Sequence, residues 1–362
     1  MNRGCPHRCL FCNEQLTAGD RPERITEAAF TETVRTHLAG AGRKSGPVQI
    51  AFYGGTFTGM VREEQRRLLK LAAPFLREGA ADGIRISTRP DGIDAEGLDF
   101  LRSSGVTTVE VGAQSLHDEV LLRSRRGHTA DDTVRALALL RQKGFETGIH
   151  LMAGLPGDSP GRFVETIERV IALRPDMVRI HPTLVLRDTP LAQAFREGNY
   201  LPLGLADAVA LCKNALKALT AAGIPVIRLG LQTTRELEEP GAVVAGPFHP
   251  AFRSLVETAL FLEMAAAFSP RRYRRRRVDP PLHPLPGRRL QLLRREAGKH
   301  QGLARTLRSQ RYSRLARPRP SPADTHPDAR SEATEDGLFR ADHLRSDCRK
   351  TPDMVWITPR VE

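Results

Sequence analysis

A chain of 362 residues that is 40% hydrophobic and 27% charged can bury a full core, as one large α/β domain or as two smaller ones. No stretch approaches the roughly 20 apolar residues of a membrane span, and the first residues lack the basic-then-apolar pattern of a signal peptide, so a cytoplasmic protein with no membrane partner is expected. The net charge of +13 suggests nucleic acid only until it is located: residues 269–362 hold 23 Lys and Arg against 11 Asp and Glu, which leaves residues 1–268 at +1.

The chain opens on MNRGCPHRCLFCNE, which sets Cys5, Cys9 and Cys12 at C-x3-C-x2-C. Five cysteines with three so clustered do not make a secreted disulfide framework, and a reducing compartment leaves the cluster free to hold metal. A structural zinc site takes four Cys or His ligands, usually in separated pairs. The nearby candidate for a fourth, His7, is wedged between Cys5 and Cys9, where reaching the same ion is awkward. An iron–sulfur cubane held by three thiolates keeps one iron without a protein ligand, open to a substrate or cofactor. The spacing favours the cubane and leaves zinc as the alternative.

From residue 48 a βα rhythm sets in. Apolar, strand-like segments at 48–55, 83–91, 107–115, 145–157, 176–186 and 224–232 alternate with amphipathic helical stretches, which predicts a parallel sheet with helices outside. Thr129 with Asp132 resembles a capping box, Val134, Leu137 and Leu140 make a stripe, and Gly144 suits a C-cap. Ser159 can cap the next helix with Pro160 at its first position, leaving Phe163, Ile167 and Val170 to face inward. Cys212, inside the helical pattern ALCKNALKAL, reads as a buried structural thiol. The unusual residues gather where the apolar runs end: Gly54-Gly55-Thr56, Thr88-Arg89-Pro90-Asp91, Gln114-Ser115 and Gly154-Leu155-Pro156. In a parallel barrel every strand opens its C-terminal end on the same face, so these four motifs would converge around one mouth.

After a helical run ending at Phe268 the composition changes abruptly. Residues 269–362 are rich in Arg, Pro and Asp with little apolar periodicity, and read as a low-complexity basic tail, disordered or translated from a shifted frame. The dense positive run from Arg271 to Arg277 makes a nucleic-acid arm the other reading.

C-x3-C-x2-C with Phe11 just before the last cysteine, at the start of a βα barrel and with a GG motif after the next strand, resembles the radical S-adenosylmethionine (radical SAM) superfamily. RIHPTLVLRDTPLAQAF, with TRPD, VEVGAQS, RRGHT and HLMAGLPG in the expected order, resembles the Elongator-catalytic-subunit-like group within it. The likeness runs over residues 1–268. It implies an α/β fold, a partial (β/α)6 TIM-type barrel, whose first strand is missing because only Met1 to Gly4 precede Cys5. Either the true start lies upstream, or the barrel opens beside the strand at 48–53 and leaves it an unpaired edge. The domains expected are a radical SAM core barrel over 1–232, a C-terminal helical extension of that core over 233–268, and the tail over 269–362.

What the resemblance implies for the site is a [4Fe-4S] cluster on Cys5, Cys9 and Cys12, with S-adenosylmethionine (SAM) chelated to the open iron. Gly54 and Gly55 would approach the methionine end of SAM, Thr56 would add a hydrogen bond, Gln114 would lie near the ribose and Arg126 near the carboxylate, with His150 in the cofactor layer. Plainer readings stand beside three residues: Arg126 as a solvated face shared with Arg123 and Arg125, Arg89 as a turn salt bridge to Asp91, and His150 as a satisfied core histidine. The implied reaction is reductive cleavage of SAM to methionine and a 5′-deoxyadenosyl radical, which takes a hydrogen atom from a substrate, a tRNA base being the candidate. An electron donor such as flavodoxin or ferredoxin would be the partner. Residues 269–362 show no pattern for the acetyltransferase domain of the tRNA enzymes, so their carboxymethylation chemistry is not carried over. An oxygen-independent porphyrinogen-oxidising enzyme, sharing the cysteine loop, the GGT and the GLP, and a non-catalytic zinc-stapled nucleic-acid-binding protein are the alternatives.

Overall fold

The computed structural model describes residues 4–18, 25–40, 47–268 and 354–356. Two helices, α1 (Glu14–Ala18) and α2 (Glu27–Gly40), follow the cysteine loop. Strand and helix then alternate through β1 (Gln49–Phe52), α3 (Arg62–Arg77), β2 (Gly83–Thr88), α4 (Ala95–Ser103), β3 (Val106–Gln114), α5 (Asp118–Arg123), α6 (Ala130–Gln142), β4 (Glu146–Ala153), α7 (Pro160–Leu173) and β5 (Met177–Pro182). Beyond these lie β6 (Val185–Leu186), α8 (Pro190–Arg196), α9 (Leu205–Ala221), β7 (Val226–Leu229), β8 (Val243–Ala245), α10 (Phe252–Phe268) and β9 (Met354–Trp356).

Hydrogen bonding orders the main sheet β7-β5-β4-β3-β2-β1-β9, with every pair parallel. It is the parallel sheet that the βα rhythm predicts, curled into the partial α/β barrel that the resemblance implies and open between β7 and β9. β6 and β8 form a separate antiparallel pair. One expectation changes: β1 is not a bare edge, because Met354, Val355 and Trp356 pair with Gln49, Ile50 and Ala51. An edge strand presents unpaired N–H and C=O groups, and a short stretch of main chain is enough to take them up. The reading of the tail as disordered or frame-shifted otherwise falls outside the described residues. The chain divides into one unit of residues 1–268 with 342–362 and a second of residues 269–341.

Alternation along the strands gives the sheet two different faces. Ile50, Ile84, Ile86, Val109, Val111, Ile149, Leu151, Val178 and Ile180 are all fully buried and pack beneath the helices. Each such side chain contributes roughly 1.5–3 kcal/mol on burial, which pins the register. The residues between them, Gln49, Arg85, Glu110, His150 and Arg179, turn to the inside of the half-barrel and make it polar.

The helix signals act where the sequence places them. Thr129 and Asp132 form a reciprocal capping box on α6, with Leu137 and Leu140 buried. The Ser159 hydroxyl accepts from the Arg162 amide at the start of α7, ahead of Pro160, and Phe163, Ile167 and Val170 are buried. Cys212 is wholly buried on α9, where burial alone pushes its thiol up to about 12, as suits a structural residue.

Candidate functional site

The cysteine loop is seated on the turn that follows β1. Backbone meets backbone there: a Cβ on Gly59 would fall 1.9 Å from the Gly4 carbonyl oxygen, and one on Gly4 would fall 2.2 Å from that of Thr56. Only glycine at both positions permits this approach. Gly54 and Gly55 open the same turn at φ of 101° and 62°, the left-handed region that side chains avoid. Two further tethers fix the loop, the Leu10 amide donating to Ser124 O at 3.1 Å and the Leu191 amide donating to Leu10 O at 3.0 Å. The α5–α6 turn and the start of α8 therefore share in placing the thiols.

This seating brings polar groups onto the sulfurs. Cys5 Sγ lies 3.2 Å from the Thr56 hydroxyl, and Cys9 Sγ accepts from Arg126 Nη1 at 3.1 Å. Thr56, Cys9 and Arg126 are buried, while Cys5 and Cys12 are half-buried and all three thiols are free of disulfides. Burial raises the pKa of Cys5, the Thr56 hydrogen bond opposes the rise, and Glu14 adds to it, so this thiol needs a bound cation to ionise readily. Arg126 also donates from Nη2 to Gly112 O at 2.5 Å, and its Nε is buried without a partner. The solvated-face reading of Arg126 fails, because Arg123 and Arg125 are exposed beside it while it turns inward.

Gln114 ends β3 with φ of 69°, a left-handed conformation that costs a non-glycine residue about 1–2 kcal/mol. Its amide nitrogen and Arg126 Nη2 both crowd the space where a Cβ on Gly112 would sit, at 3.2 and 3.5 Å. Gln114, Arg126 and Cys9 thus form one group. Arg89 makes the turn salt bridge, Nε to Asp91 Oδ1 at 2.9 Å and Nη2 to Oδ2 at 2.8 Å. A cavity of about 300 Å³ beside Cys5 is bounded by Thr56, Gly59, Arg89 and Asp91, so the cysteine, GGT and TRPD motifs do meet. The polar groups of Gly154 are both taken up: its amide donates to Asp158 in the same turn and its carbonyl accepts from the distant Tyr200 hydroxyl at 2.6 Å. That turn lines a second cavity of about 460 Å³ with Leu10, Leu191 and Tyr200.

His150 stands inside the half-barrel, its Nε2 bonded to the Glu110 carboxylate. Glu110 is fully buried at the centre of a network, with Arg85 Nη1 at 2.9 Å, Arg179 Nε at 2.6 Å and the Tyr53 hydroxyl donating at 2.5 Å. Burial opposes the Glu110 charge, but His150, Arg179 and Arg85 outweigh it and hold the carboxyl well below its usual range. Burial keeps His150 below its ordinary pKa, and it drives His181, whose ring sits edge-on 6.2 Å away, down to about 3 with help from the Arg179 charge. Burial thus favours the neutral imidazole at both positions, with the His150 ring hydrogen-bonded to the Glu110 carboxylate. Sequence reasoning missed Tyr53, Arg85, Glu110 and Arg179. The signal was present: β2, β3, β4 and β5 each carry an ionisable residue within an otherwise apolar run.

Three thiols, a buried orphan donor on Arg126 and a glycine-lined approach form a donor set suited to an iron–sulfur cluster with a ligand on its open iron. Among the described residues no three His, Cys, Asp or Glu side chains converge on a single-ion position. A cubane takes its thiolates at separate corners and does not require such convergence.

The family model for the radical SAM superfamily matches residues 1–170, and the one for the radical SAM C-terminal domain matches residues 175–261. The tRNA uridine(34) acetyltransferase of Methanocaldococcus infernus is 28% identical over 249 residues, covering 58% of this chain and 47% of that protein. The Elongator complex protein 3 of Homo sapiens is 33% identical over 137 residues, 37% of this chain and 25% of that one. Protein YhcC of Escherichia coli is 33% identical over 218 residues, 56% of this chain and 67% of that one. The chain spans about half the length of the tRNA uridine(34) acetyltransferases it matches in Methanocaldococcus. The solved structure of the archaeal Methanocaldococcus infernus Elp3 with an N-terminal deletion matches with a TM-score of 0.56 at 25% identity, over 65% of this chain and 59% of that one. The cysteine loop on its glycine turn, the open parallel half-barrel and these matches agree: the chain belongs to the radical SAM superfamily, as an Elongator-like enzyme of the radical SAM class.

Proposed function

We propose that this enzyme holds a [4Fe-4S] cluster on Cys5, Cys9 and Cys12 and uses it to cleave SAM for hydrogen abstraction from a tRNA base. The observation that carries the reading is the seating of the cysteine loop, with Cys5 on Thr56 and Cys9 on Arg126, against the Gly54-Gly55 turn. A cluster held by these three cysteines and reduced by a flavodoxin- or ferredoxin-type donor would supply the single electron needed for reductive cleavage of bound SAM.

The chain's own residues bind, orient and enclose. Cys5, Cys9 and Cys12 are the thiolate ligands. Gly54 and Gly55 present main chain to the methionine end of SAM without a Cβ in the way. Arg126 Nε, a buried donor still to be satisfied, suits a carboxylate, and Gln114 beside it offers a neutral amide for a hydroxyl. Below them the Glu110 network, with His150 at its top, gives the half-barrel a rigid polar floor. A tRNA base is favoured as substrate by the resemblance to tRNA uridine(34) acetyltransferases over about half of their length.

Anaerobic reconstitution with iron and sulfide tests the first part. The expected result is a brown protein with four irons per chain that forms 5′-deoxyadenosine after reduction with dithionite. A colourless protein with one zinc per chain and no 5′-deoxyadenosine would sink the reading. For the substrate, comparing modified tRNA nucleosides from cells with and without the gene is expected to reveal a missing modification, and identical profiles would exclude tRNA.

A further inference from the structure

Arg126 is a cation in a place that cations avoid. It is 6% exposed, and among the described residues no carboxylate pairs with it. Burying a guanidinium without an anion is costly, so its position needs a negative partner. The nearest groups that can carry charge are the thiols of the cysteine loop, and Nη1 already rests on Cys9 Sγ at 3.1 Å. The chain is shaped to put it there. After α5 the backbone of Arg125 enters the left-handed region at φ of 53°, the Arg126 amide bonds Leu121 O at 2.9 Å, and the Arg126 side chain turns inward while Arg125 stays in solvent. The His7 ring then packs on Gly127, where a Cβ would lie 2.5 Å from it. The Ser124 carbonyl between α5 and Arg126 holds the Leu10 amide, so the same turn grips the residue beside Cys9.

We propose that Arg126 is a positioning residue that sets the reduction potential of the cluster through a charge-assisted N–H···S hydrogen bond to the Cys9 thiolate. This rests on the cluster reading above. Reduction adds one electron from an external reductant and makes or breaks no covalent bond. The added negative charge is shared over iron and sulfur, so a cation donating to a ligand sulfur binds the reduced form more strongly than the oxidised form. Hydrogen bonds to cluster sulfurs and nearby charge are among the levers by which a protein moves such potentials. The Thr56 hydroxyl on Cys5 is a weaker neutral counterpart, since a ligating thiolate can only accept and the hydroxyl must then donate. Anchoring of the SAM carboxylate, the role implied by resemblance, would use the still unpartnered Nε, so the two roles do not compete for one donor.

The test is a redox titration of the full-length reconstituted protein without SAM, following the electron paramagnetic resonance signal of the reduced cluster. Omitting SAM separates tuning from SAM anchoring. Arg126→Gln is expected to disfavour reduction by tenfold or more, a negative shift of about 59 mV for a one-electron couple. Arg126→Lys, which keeps the charge, is expected to shift it less, and Thr56→Val is expected to shift it less than Arg126→Gln. An Arg126→Gln protein with four irons and an unchanged potential overturns the proposal, as does a Thr56→Val shift of equal size. Where Arg126→Gln does not keep its cluster, wild-type protein grown on arginine labelled with nitrogen-15 in the guanidinium decides. Pulsed resonance is expected to show such a nitrogen coupled to the reduced cluster, and its absence overturns the proposal. A wild-type chain that takes up no four-iron cluster overturns the site reading as well.

Discussion

Replacing Glu110 with Gln removes a single negative charge from a position with no access to water. The Glu110 side chain is 0% exposed, and it faces Arg85, also 0% exposed, and Arg179, 4% exposed. At about 3 Å and an effective dielectric near 20, each ion pair is worth about 5 kcal/mol of attraction, offset by the desolvation of both partners. Breaking a buried pair by deleting one member costs about 3–5 kcal/mol, because the survivor stays charged and buried. Arg85 and Arg179 both lose this counter-charge, with Arg85 still facing Glu146 at 3.8 Å, so a cost within that range is expected, about 3–5 kcal/mol. Gln keeps the shape and one acceptor for the Tyr53 hydroxyl, so packing is not the variable. At about 2–4 °C per kcal/mol for a domain of this size, the melting temperature should fall by roughly 10 °C or more. Urea titration and thermal melts of cluster-free protein, followed by circular dichroism, read both quantities. Arg85→Met combined with Glu110→Gln should recover part of the loss by removing one stranded charge. A loss under about 1 kcal/mol for Glu110→Gln would show that the two arginines do not depend on this carboxylate, and would refute the account of the polar interior.

Other predictions rest on separate features. Cys9→Ser should abolish four-iron uptake and 5′-deoxyadenosine formation while leaving the circular dichroism of the apoprotein intact; retained uptake would remove Cys9 as a ligand. Gly54→Ala, placed at φ of 101°, should destabilise the turn by about 1–3 kcal/mol and weaken SAM binding, measured by denaturation and equilibrium dialysis. Stability should fall on acidification. His181 at about 3 and His150 below its ordinary value bind fewer protons folded than unfolded, where histidine titrates near 6.5. Their contribution is fully present above about pH 6.5 and falls by at most about 1.4 kcal/mol per pH unit for each as pH drops. Depressed Glu110 adds a further loss below about pH 4.3, where the unfolded carboxylate starts to protonate. Urea midpoints that stay level from pH 7 to 4.5 would contradict this. Removal of residues 269–362 takes away β9 and bares β1, so size-exclusion chromatography should show more self-association than for the full chain; unchanged elution would mean that β9 does not protect that edge.

The order of βα units, the caps of α6 and α7 and the cysteine spacing could all be read from the sequence, because each depends on residues within a turn or two of one another. The apolar runs located strands β1 to β5 and β7 of the main sheet. Their interior charges went unread as a group, since Arg85, Glu110, His150 and Arg179 come from four strands and only curling of the sheet gathers them on one carboxylate. The cysteine loop follows the same division. The grouping of three thiols follows from local spacing, whereas the contacts of their sulfurs do not: Thr56 lies 51 residues from Cys5 and Arg126 lies 117 residues from Cys9. Such contacts have no periodicity to reveal them. They are set by how closely Gly4 and Gly59 let two stretches of main chain approach, and by the turn at Arg125 that sends the next side chain inward. So the sequence by itself determined the order of the βα units and the clustering of three thiols, and only the tertiary structure decided which polar groups touch those sulfurs, because that choice is made by packing between distant segments.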